Sequence, residues 1–352
     1  NLNKGIDKMN KYVITLESSQ ANNAGPKAKA DVEQFLTETD YQILPLKVNL
    51  DPADKSFGAK LKKIYYGKYY IPKILQQSQA DVILLQYPVY SAYLTNELFK
   101  AIKQKTNAKL YLLIHDIETL RLFGGDKAQS QAELALFKQA DGIIAHNAKM
   151  RSWLEEQGVT VPIVELGLFD YYNPTPLVKQ RPFAKSVVFA GNLAKADFLK
   201  KAATLDFELT LFGPAPAKTY PEPLKYAGVY PPDELAKHFS QNFGLVWDGD
   251  SLLTCNGVFG EYMRYNDPHK VSLYLSSGLP IVMWKEAALA DFIVTHNVGF
   301  VVESLTEVGN VLKQMTPEQY REMQQNTLTL AQKLRQGHFI KTAIKKLESL
   351  EG

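Results

Sequence analysis

The residues best suited to chemistry stand in the segment from Asn266 to Lys270. Asn266 or Asp267 can cap a helix, because each carries a side-chain oxygen for the free backbone N–H groups of the first turn. Pro268 suits the first helical position, where a missing N–H costs nothing. His269 and Lys270 add polar side chains at the positive end of the helix dipole. This predicts an anion site suited to a pyrophosphate; the alternative is a capped helix whose lysine lies in solvent.

The predicted helix has a defined end and a strand behind it. Gly278 suits the left-handed residue after a last helical turn, and Pro280 forbids continuation of the helix. The apolar run Ile281 to Trp284 then predicts a buried strand. The anion site therefore belongs to an α/β unit, in which ligands bind at the carboxyl ends of parallel strands.

Polar groups also follow the predicted strands of the first half. They are the small-residue loop Ser18 to Lys29, Gln86 and Tyr87, His115 and Asp116, His146 and Asn147, and Asp170. In a parallel sheet these strand ends lie along one edge, which predicts an active face. A histidine in a loop is more often structural than catalytic, so the alignment carries more weight than any one residue.

Composition excludes several classes of protein. The formal net charge is +3 over 352 residues, so there is no global case for nucleic acid binding. The single cysteine, Cys255, excludes an intramolecular disulfide and suits a reducing compartment. No apolar run has the length of a transmembrane helix, and no signal peptide is recognised. We expect a cytoplasmic protein, at the inner face of the membrane if it binds lipid, and a homo-oligomer.

Two further features have alternative interpretations. Lysines and tyrosines alternate between Lys60 and Tyr70, which predicts either a solvated helix face with aromatic anchors beneath it or contact with an anionic lipid surface or a partner chain. The sequence Asp248-Gly249-Asp250 is typical of either a turn or a metal site. We favour the solvated face and the turn.

The second half resembles a known family in its order of motifs. A strand precedes Gly191-Asn192, Phe212-Gly213-Pro214 follows the next strand, and the block from Tyr265 to Val282 includes the Pro-His-Lys helix start and Ser-Gly-Leu-Pro-Ile-Val. This order resembles bacterial glycosyltransferases of the GT-B fold. Two groups are similar: β-1,6-galactofuranosyltransferases of polysaccharide clusters, and accessory glucosyltransferases that extend O-GlcNAc on serine-rich repeat adhesins. The resemblance covers nearly the whole chain.

The resemblance implies a UDP-sugar donor held mainly by the second half, without a metal or other cofactor. Lys270 would bind the pyrophosphate, and Lys195 would neutralise the second phosphate, although lysine lacks the bidentate fork of the arginine common there. The implied donor-binding residues are Lys270, Lys195, Asn192, Gly191, His269, Asn266, Tyr265, Phe212, Gly213 and Tyr230.

The resemblance places the acceptor, a glycan or glycoprotein, against the first half. The implied acceptor-side residues are Ser19, Gln20, Gly25 and Tyr87. Transfer with inversion needs one base to remove the proton of the acceptor hydroxyl, and His115 or Asp116 is placed for this. We favour Asp116, because a carboxylate can both orient and deprotonate a hydroxyl. Glu17, His146 and Asp170 are the alternatives.

The expected fold is therefore α/β, with two Rossmann-like domains facing each other across a cleft. We expect an N-terminal acceptor domain at 1–174, a C-terminal donor domain at 175–335, and a final helix at 336–352 that packs on the first domain. The expected function is transfer of galactofuranose or glucose. The alternatives are a non-catalytic partner or chaperone subunit of a glycosylation complex, and a sugar-nucleotide epimerase of the same fold.

Overall fold

The computed structural model of the protein describes residues 9–17, 24–50, 54–89, 91–122 and 125–350. In the N-terminal half, six strands form one parallel sheet, and its central strands are apolar runs buried on both faces. They are β1 (Lys11–Glu17), β2 (Tyr41–Lys47), β3 (Val82–Tyr87), β4 (Lys109–Ile114), β5 (Gly142–Ala145) and β6 (Ile163–Glu165). Their order in the sheet is β2-β1-β3-β4-β5-β6.

Helices connect these strands in chain order. They are α1 (Ala24–Thr37), α2 (Phe57–Tyr65), α3 (Ile71–Ser78), α4 (Ala92–Lys105), α5 (Glu118–Arg121), α6 (Lys127–Phe137) and α7 (Ala148–Glu156). A π-helical turn, Tyr66–Tyr70, joins α2 to α3. Helix α1 begins inside the segment Ser18 to Lys29, which was predicted as a loop, so Gly25 lies in the first turn of the helix.

The C-terminal half repeats this arrangement. Its strands are β7 (Val187–Ala190), β8 (Leu209–Phe212), β9 (Leu224–Tyr226), β10 (Phe243–Val246), β11 (Ile281–Trp284) and β12 (Gly299–Val302). Its helices are α8 (Pro232–Leu235), α9 (Gly257–Tyr262), α10 (His269–Ser276), α11 (Ala290–Thr295), α12 (Val308–Gln314), α13 (Pro317–Arg335) and α14 (His338–Ser349), with 3-10 turns at Leu193–Lys195, Asp197–Thr204, Ala236–His238 and Leu305–Glu307.

The order of the second sheet, β9-β8-β7-β10-β11-β12, is that of a doubly wound nucleotide-binding fold. The prediction of two Rossmann-like sheets is confirmed. The direction of winding changes between β1 and β3 in the first sheet and between β7 and β10 in the second. Such switch points open crevices at the carboxyl ends of the strands, so ligands are expected there.

The final helix, α14, packs on the N-terminal sheet. Its buried residues Ile340, Ile344 and Leu347 join the apolar core formed by α1 and one face of that sheet. Gly337, between α13 and α14, has a φ of 71°, a left-handed conformation that glycine adopts without strain. A Cβ there would lie 2.5 Å from Phe35 of α1, so the turn also needs glycine for close approach. Among the described residues, no helix is both long and apolar enough to cross a bilayer.

Candidate active site

Helix α10 begins without a side-chain cap. Its N-cap residue is Pro268, which has no side-chain oxygen, and His269 is the first helical residue. The prediction that Asn266 or Asp267 caps this helix, with Pro268 in its first turn, is therefore wrong. The N–H of Val271 donates to the backbone oxygen of Pro268 at 2.9 Å. The N–H groups of the first two helical residues, His269 and Lys270, have no partner inside the helix and are available to groups from outside, as an anion site requires.

The segment before α10 is held by the N-terminal half. Asn147, at the end of β5, donates from Nδ2 to Asp267 Oδ1 at 2.6 Å and to the backbone oxygen of Tyr265 at 2.9 Å. Burial raises the pKa of Asp267 to about 8. Among the described residues, Asp267 Oδ2 and Asn266 Oδ1 are buried without a hydrogen-bond partner. The start of the helix is thus positioned by a contact between the two halves.

His146 completes this junction. Its Nδ1 accepts a 2.9 Å hydrogen bond from the backbone N–H of Asp267, so the proton is on Nε2, 3.0 Å from the backbone oxygen of Ile114. Burial lowers the pKa of His146 to about 3, so the ring is neutral at physiological pH. Because both ring nitrogens are engaged, the structure contradicts His146 as an alternative general base.

Lys270, the second residue of α10, lies at the switch point of the C-terminal sheet. Its Nζ is 3.8 Å from Asp248 Oδ2, just beyond β10, and 4.8 Å from the ring centroid of Phe189 on β7. A Cβ on Gly191 would lie 3.8 Å from the same Nζ. Lys270 and Gly191 are thus brought together as predicted, with the ammonium group in reach of the β7 crevice.

Two glycine loops form the floor of this crevice. Gly213 follows β8 with a φ of 144°, and a Cβ there would lie 1.8 Å from the backbone oxygen of Gly191. The two backbones therefore touch at a distance that no side chain at position 213 allows. Tyr226 donates from its hydroxyl to the backbone oxygen of Gly213 at 3.2 Å, which holds the second loop.

Asn192 and Lys195, the predicted donor-binding residues that follow Gly191, make other contacts in the structure. Asn192 caps the following 3-10 turn, accepting a 3.0 Å bond from the N–H of Ala194. Lys195 is exposed, and its Nζ lies 5.6 Å from the ring centroid of Phe259 on α9. It lies on the same loop as Gly191, and its role in neutralising the second phosphate stays a prediction.

Of the two aromatic residues predicted to bind the donor, which would contact its nucleobase, only Tyr230 is accessible. Phe212 is 3% exposed and packs into the core, so its ring cannot line a pocket, which corrects that assignment. Tyr230 is partly exposed, and one face of its ring stacks on His238 with the centroids 3.6 Å apart. Tyr230 remains a candidate for contact with the nucleobase of the donor, through the other face of its ring or its hydroxyl.

The carboxylates of the Asp248-Gly249-Asp250 segment have different partners. Asp248 faces Lys270, whereas Asp250 accepts a 2.7 Å bond from Asn256 Nδ2. Gly249 has a φ of 111°, as in a turn. No group of three or more His, Cys, Asp or Glu side chains in the described part of the chain is arranged to hold a metal ion. That the diphosphate is held without a metal stays a prediction.

Phe169, after β6, links the two candidate centres. Its ring centroid lies 5.2 Å from that of His115, 4.8 Å from that of His146 and 4.8 Å from that of His269. His269 therefore packs at the junction of the halves. Burial lowers its pKa to about 4, and its Nε2 is buried without a hydrogen-bond partner among the described residues. The backbone positions that follow these histidines, Asp116 and Lys270, are thereby close to the same junction.

Asp116 has the properties of a general base. Burial raises its pKa to about 6, against the opposing effect of Arg121, whose Nη1 lies 3.1 Å from Asp116 Oδ2. Its side chain is 28% exposed, so a substrate can reach it. Tyr262 of α9 also bonds Asp116, and its hydroxyl accepts a 2.9 Å bond from the N–H of Ile117. A helix beside the donor crevice thus positions the candidate base.

His115 is fixed in a polar network at the end of β4. Its Nε2 lies 2.8 Å from Gln86 Oε1, while Gln86 Nε2 donates to Glu33 Oε1 and to the backbone oxygen of Lys29, each at 3.2 Å. Because the amide nitrogen of Gln86 is turned toward two acceptors, His115 Nε2 must carry the proton. Burial lowers the pKa of His115 well below its usual range, so the ring is neutral.

Lys29 belongs to this network, although no sequence motif marks it. Its Nζ donates to the backbone oxygens of Pro88, at 2.6 Å, and Gln86, at 3.4 Å. Burial lowers its pKa to about 8. Its charge lowers the pKa values of Asp116 and His115, which places it beside both. Lys29 thus lies on α1 at the switch point of the N-terminal sheet.

The structure does not support the predicted acceptor-side residues that it describes. Ser19 and Gln20 lie outside the described residues. Gly25 lies in the first turn of α1. Tyr87 is 6% exposed, and its hydroxyl donates to the buried Glu133 at 2.8 Å. The structure therefore contradicts Tyr87 as an acceptor contact, because its side chain points into the core and not toward the cleft.

The remaining alternative bases are Asp170 and Glu17, and the structure describes the side chain of Asp170 only. Asp170 accepts from the N–H groups of Phe339, at 3.1 Å, and Ile340, at 2.7 Å, so it caps α14. Burial raises the pKa of Asp170 to about 7. Its carboxylate is engaged in holding α14, which contradicts a role as base. The side chain of Glu17 lies outside the described residues.

Comparison with family models identifies both halves. Residues 10–168 match the model described as "Glucosyltransferase 3-like, N-terminal domain", and residues 187–347 match "Glucosyltransferase 3-like, C-terminal domain". The chain is similar to the beta-1,6-galactofuranosyltransferase WbbI of Escherichia coli (strain K12), with 33% identity over 96% of this chain and 98% of the relative. It is similar to glucosyltransferase 3 of Streptococcus gordonii, with 27% identity over 75% of this chain and 78% of the relative.

Solved structures agree on the GT-B fold. A trehalose-6-phosphate protein from E. coli, bound with UDP-2-fluoro glucose, has a TM-score of 0.59 at 12% identity and covers 96% of this chain and 99% of its own. The pneumococcal O-GlcNAc transferase GtfA, in complex with UDP and GlcNAc, has a TM-score of 0.51 at 12% identity, over 80% of this chain and 59% of its own. At these identities the likeness concerns the fold alone.

Proposed function

The chain belongs to the glucosyltransferase 3-like family and is a glycosyltransferase, and we propose that it moves a hexose from a UDP-sugar to a glycan or glycoprotein acceptor. The hexose is galactofuranose or glucose, the sugars named in its relatives beta-1,6-galactofuranosyltransferase WbbI and glucosyltransferase 3. The transfer proceeds with inversion and without a metal.

In this proposal the C-terminal half holds the donor. The diphosphate lies at the start of α10, where no side chain of the N-cap residue occupies the first N–H groups. Lys270 supplies the positive charge, and Asp248, 3.8 Å away, keeps its ammonium directed toward the crevice. The contact between Gly191 and Gly213 leaves backbone, and not side chains, as the surface nearest the phosphates.

The N-terminal half activates the acceptor. Asp116 takes the proton from an acceptor hydroxyl as that oxygen bonds to the anomeric carbon on the face opposite the diphosphate. The bond between this carbon and the UDP oxygen breaks at the same time, so the configuration inverts. Lys270 and the N–H groups of α10 stabilise the charge that develops on the departing UDP. Arg121 and Tyr262 orient the carboxylate.

One observation carries the proposal: the two candidate centres meet at Phe169. The rings of His115 and His269 lie 5.2 Å and 4.8 Å from its ring centroid, and the residues that follow them in sequence are Asp116 and Lys270. The backbones that carry Asp116 and Lys270 therefore approach each other at the junction of the two halves, which supports one cleft between a carboxylate whose pKa is raised to about 6 and a lysine at an uncapped helix start.

The test is a panel of UDP-sugars, screened first by thermal shift and then by release of free UDP with and without acceptor. UDP should raise the melting temperature, since a ligand that binds the folded state stabilises it. Acceptor-dependent release of UDP from UDP-galactofuranose or UDP-glucose is the expected result. Binding of UDP without release for any sugar would favour the non-catalytic subunit, and absence of any UDP effect would contradict the donor site.

Two expectations about its setting remain proposals. A reducing, cytoplasmic compartment fits the single cysteine, which is buried and whose pKa burial raises to about 12. The second expectation is that the protein forms a homo-oligomer, and light scattering of the purified protein tests it.

A further inference from the structure

Helix α2 exposes an apolar face that nothing in the described chain covers. It has no buried residue. The exposed fractions are 75% for Phe57, 51% for Leu61, 47% for Ile64 and 56% for Tyr65, and Tyr69 in the following turn is 68% exposed. The spacing of the first four residues puts them on one side of a helix. A cluster of large exposed side chains on one face marks an interaction surface.

The exposed face belongs to a well-anchored helix. Ser56 caps it, accepting a 3.1 Å bond from the N–H of Ala59. The turn that follows is fixed to the sheet, because Tyr66 and Tyr70 accept hydrogen bonds from the N–H groups of Asn49 and Lys47 at 3.3 Å and 3.1 Å. The predicted aromatic anchors are therefore Tyr66 and Tyr70. The rest of the helix is exposed to solvent, as expected, but its exposed side chains include large apolar ones beside the lysines.

The charge around this face is positive. Helix α2 carries Lys60, Lys62 and Lys63, all exposed, and contains no acidic residue. Lys60 and Lys62 flank the apolar stripe on opposite sides at helical spacing. A second copy of the chain seated on this face by two-fold symmetry would bring the same lysines together, and like charges oppose such a contact.

We propose that α2 docks the protein on a bilayer that contains anionic lipids. An amphipathic helix with lysines beside large apolar and aromatic side chains lies in the interface, with its apolar face among the acyl chains and its lysines near the headgroup phosphates. Tyrosines are enriched at that level of a membrane. This surface is separate from the proposed transfer reaction and does not depend on it.

The position of α2 gives the docked protein an orientation. Tyr70 lies level with Lys47, the last residue of β2, and the helix runs back along the sheet from there as α3. Residues 57–65 therefore extend beyond the carboxyl edge of the sheet, the edge that carries His115 and Asp116. Docking turns the acceptor side of the cleft toward the bilayer. The further consequence that the acceptor glycan is attached to a lipid rests on the proposed function.

Sedimentation with vesicles tests the docking. We expect the protein to sediment with vesicles of phosphatidylcholine mixed with phosphatidylglycerol and not with phosphatidylcholine alone, and added NaCl should weaken binding. Lys60→Ala with Lys62→Ala should weaken binding about 25-fold, since each lysine near an anionic surface contributes about fivefold. Leu61→Gln and Ile64→Gln should each weaken it about tenfold or more.

Matched controls lie elsewhere on the surface. Lys346→Ala on α14 and Val294→Gln on α11, where the valine is 55% exposed, should leave vesicle binding unchanged. All variants should bind UDP like the parent protein, which separates this proposal from the donor site. The docking is overturned if the parent protein does not sediment with the anionic vesicles, or if the α2 variants bind them equally well. Dimers in light scattering that dissociate in the Leu61→Gln, Ile64→Gln double variant, without vesicle binding, would assign the face to a second copy and also overturn it.

Discussion

The proposed donor side and the proposed acceptor side of the cleft are built differently. The donor side consists of backbone and one lysine: the start of α10, the touching loops at Gly191 and Gly213, and Lys270. The acceptor side consists of side chains from separate elements, among which Lys29, Gln86 and Asp116 come from α1, β3 and the end of β4. Backbone geometry suits a diphosphate common to many donors, whereas a network of side chains can tune a proton transfer.

This difference separates the expected effects of substitution. Changes on the donor side should alter UDP affinity, because Lys270 in its proposed role contacts the diphosphate in both the ground state and the transition state. Changes on the acceptor side should alter turnover, because the displaced pKa values of Asp116 and Lys29 matter only when a proton moves.

The largest effect is expected from Asp116→Asn. Removal of the general base should lower turnover by roughly 10²–10⁴ and leave UDP affinity nearly intact. Initial rates of transfer and calorimetric titration with UDP measure the two quantities. Asp291→Asn, at an exposed position of α11, is the control. If both Asp116→Asn and His115→Ala transfer at the parent rate, the base lies elsewhere on the acceptor side.

The next effect is the loss of donor affinity in Lys270→Ala. Loss of one charge-assisted phosphate contact should weaken UDP binding by about 1.5–3 kcal/mol. Lys195→Ala should weaken it by less than about 1 kcal/mol, because Lys195 is exposed and solvent screens its charge. Titration calorimetry with UDP compares the two variants. Equal losses would place both lysines on the diphosphate, and an unchanged dissociation constant for Lys270→Ala would remove it from the site.

A smaller effect on stability, and none on transfer, is expected from Tyr87→Phe. The change removes the 2.8 Å bond to Glu133, whose carboxylate keeps two backbone partners, the N–H groups of Glu118 and Thr119. The free energy of unfolding should fall by about 1 kcal/mol. Urea denaturation measures it, and a parallel transfer assay provides the contrast. A large loss of acceptor affinity would restore Tyr87 to the acceptor side.

The pH dependence of transfer tests whether Lys29 acts on Asp116 on the acceptor side. The proposed base, Asp116, would act in its ionised form, so the rate should rise with pH through about 6, its pKa. The charge of Lys29 lowers that pKa. Lys29→Gln should therefore move the rise to higher pH, while Lys29→Arg keeps the charge and should leave it close to the parent position. Coincident profiles for the three proteins would show that Lys29 does not act on the base.

The smallest effect is expected from chelation. If Lys270 and the N–H groups of α10 hold the diphosphate, transfer should persist in EDTA at the parent rate. A protein passed through a chelating resin and assayed without added salts gives the same comparison by a second route. Loss of turnover that Mg²⁺ or Mn²⁺ restores would return Asp248 and Asp250 to consideration as ligands.

Local patterns in the sequence were sufficient for much of the architecture. The apolar run Ile281 to Trp284 predicted a buried strand, and β11 has the same bounds in the structure. Gly278, with a φ of 76°, ends α10 as expected. These signals are local, because a strand, a helix end or a glycine turn is decided by neighbours in the chain. The glycine turns at Gly191 and Gly213 and the helix start before Lys270 were also predicted from neighbouring residues in the chain.

The exposed face of α2 was not predictable from its pattern. The spacing of Phe57, Leu61, Ile64 and Tyr65 is that of a helix packed on a core, and periodicity does not tell which surface covers it. Only the position of α2 beyond the edge of the sheet leaves this face in solvent, which the structure alone could decide.

The sequence by itself determined the two α/β halves, the helix start that carries Lys270, and the polar strand ends. Only the tertiary structure decided which of those polar residues face the cleft: it assigned His146 to the junction of the halves, Asp170 to the cap of α14 and Tyr87 to the core, and it added Lys29 to the site. The physical reason is that burial and hydrogen-bond partners set the chemistry of a side chain, and both come from elements that are distant in the chain and adjacent only after folding.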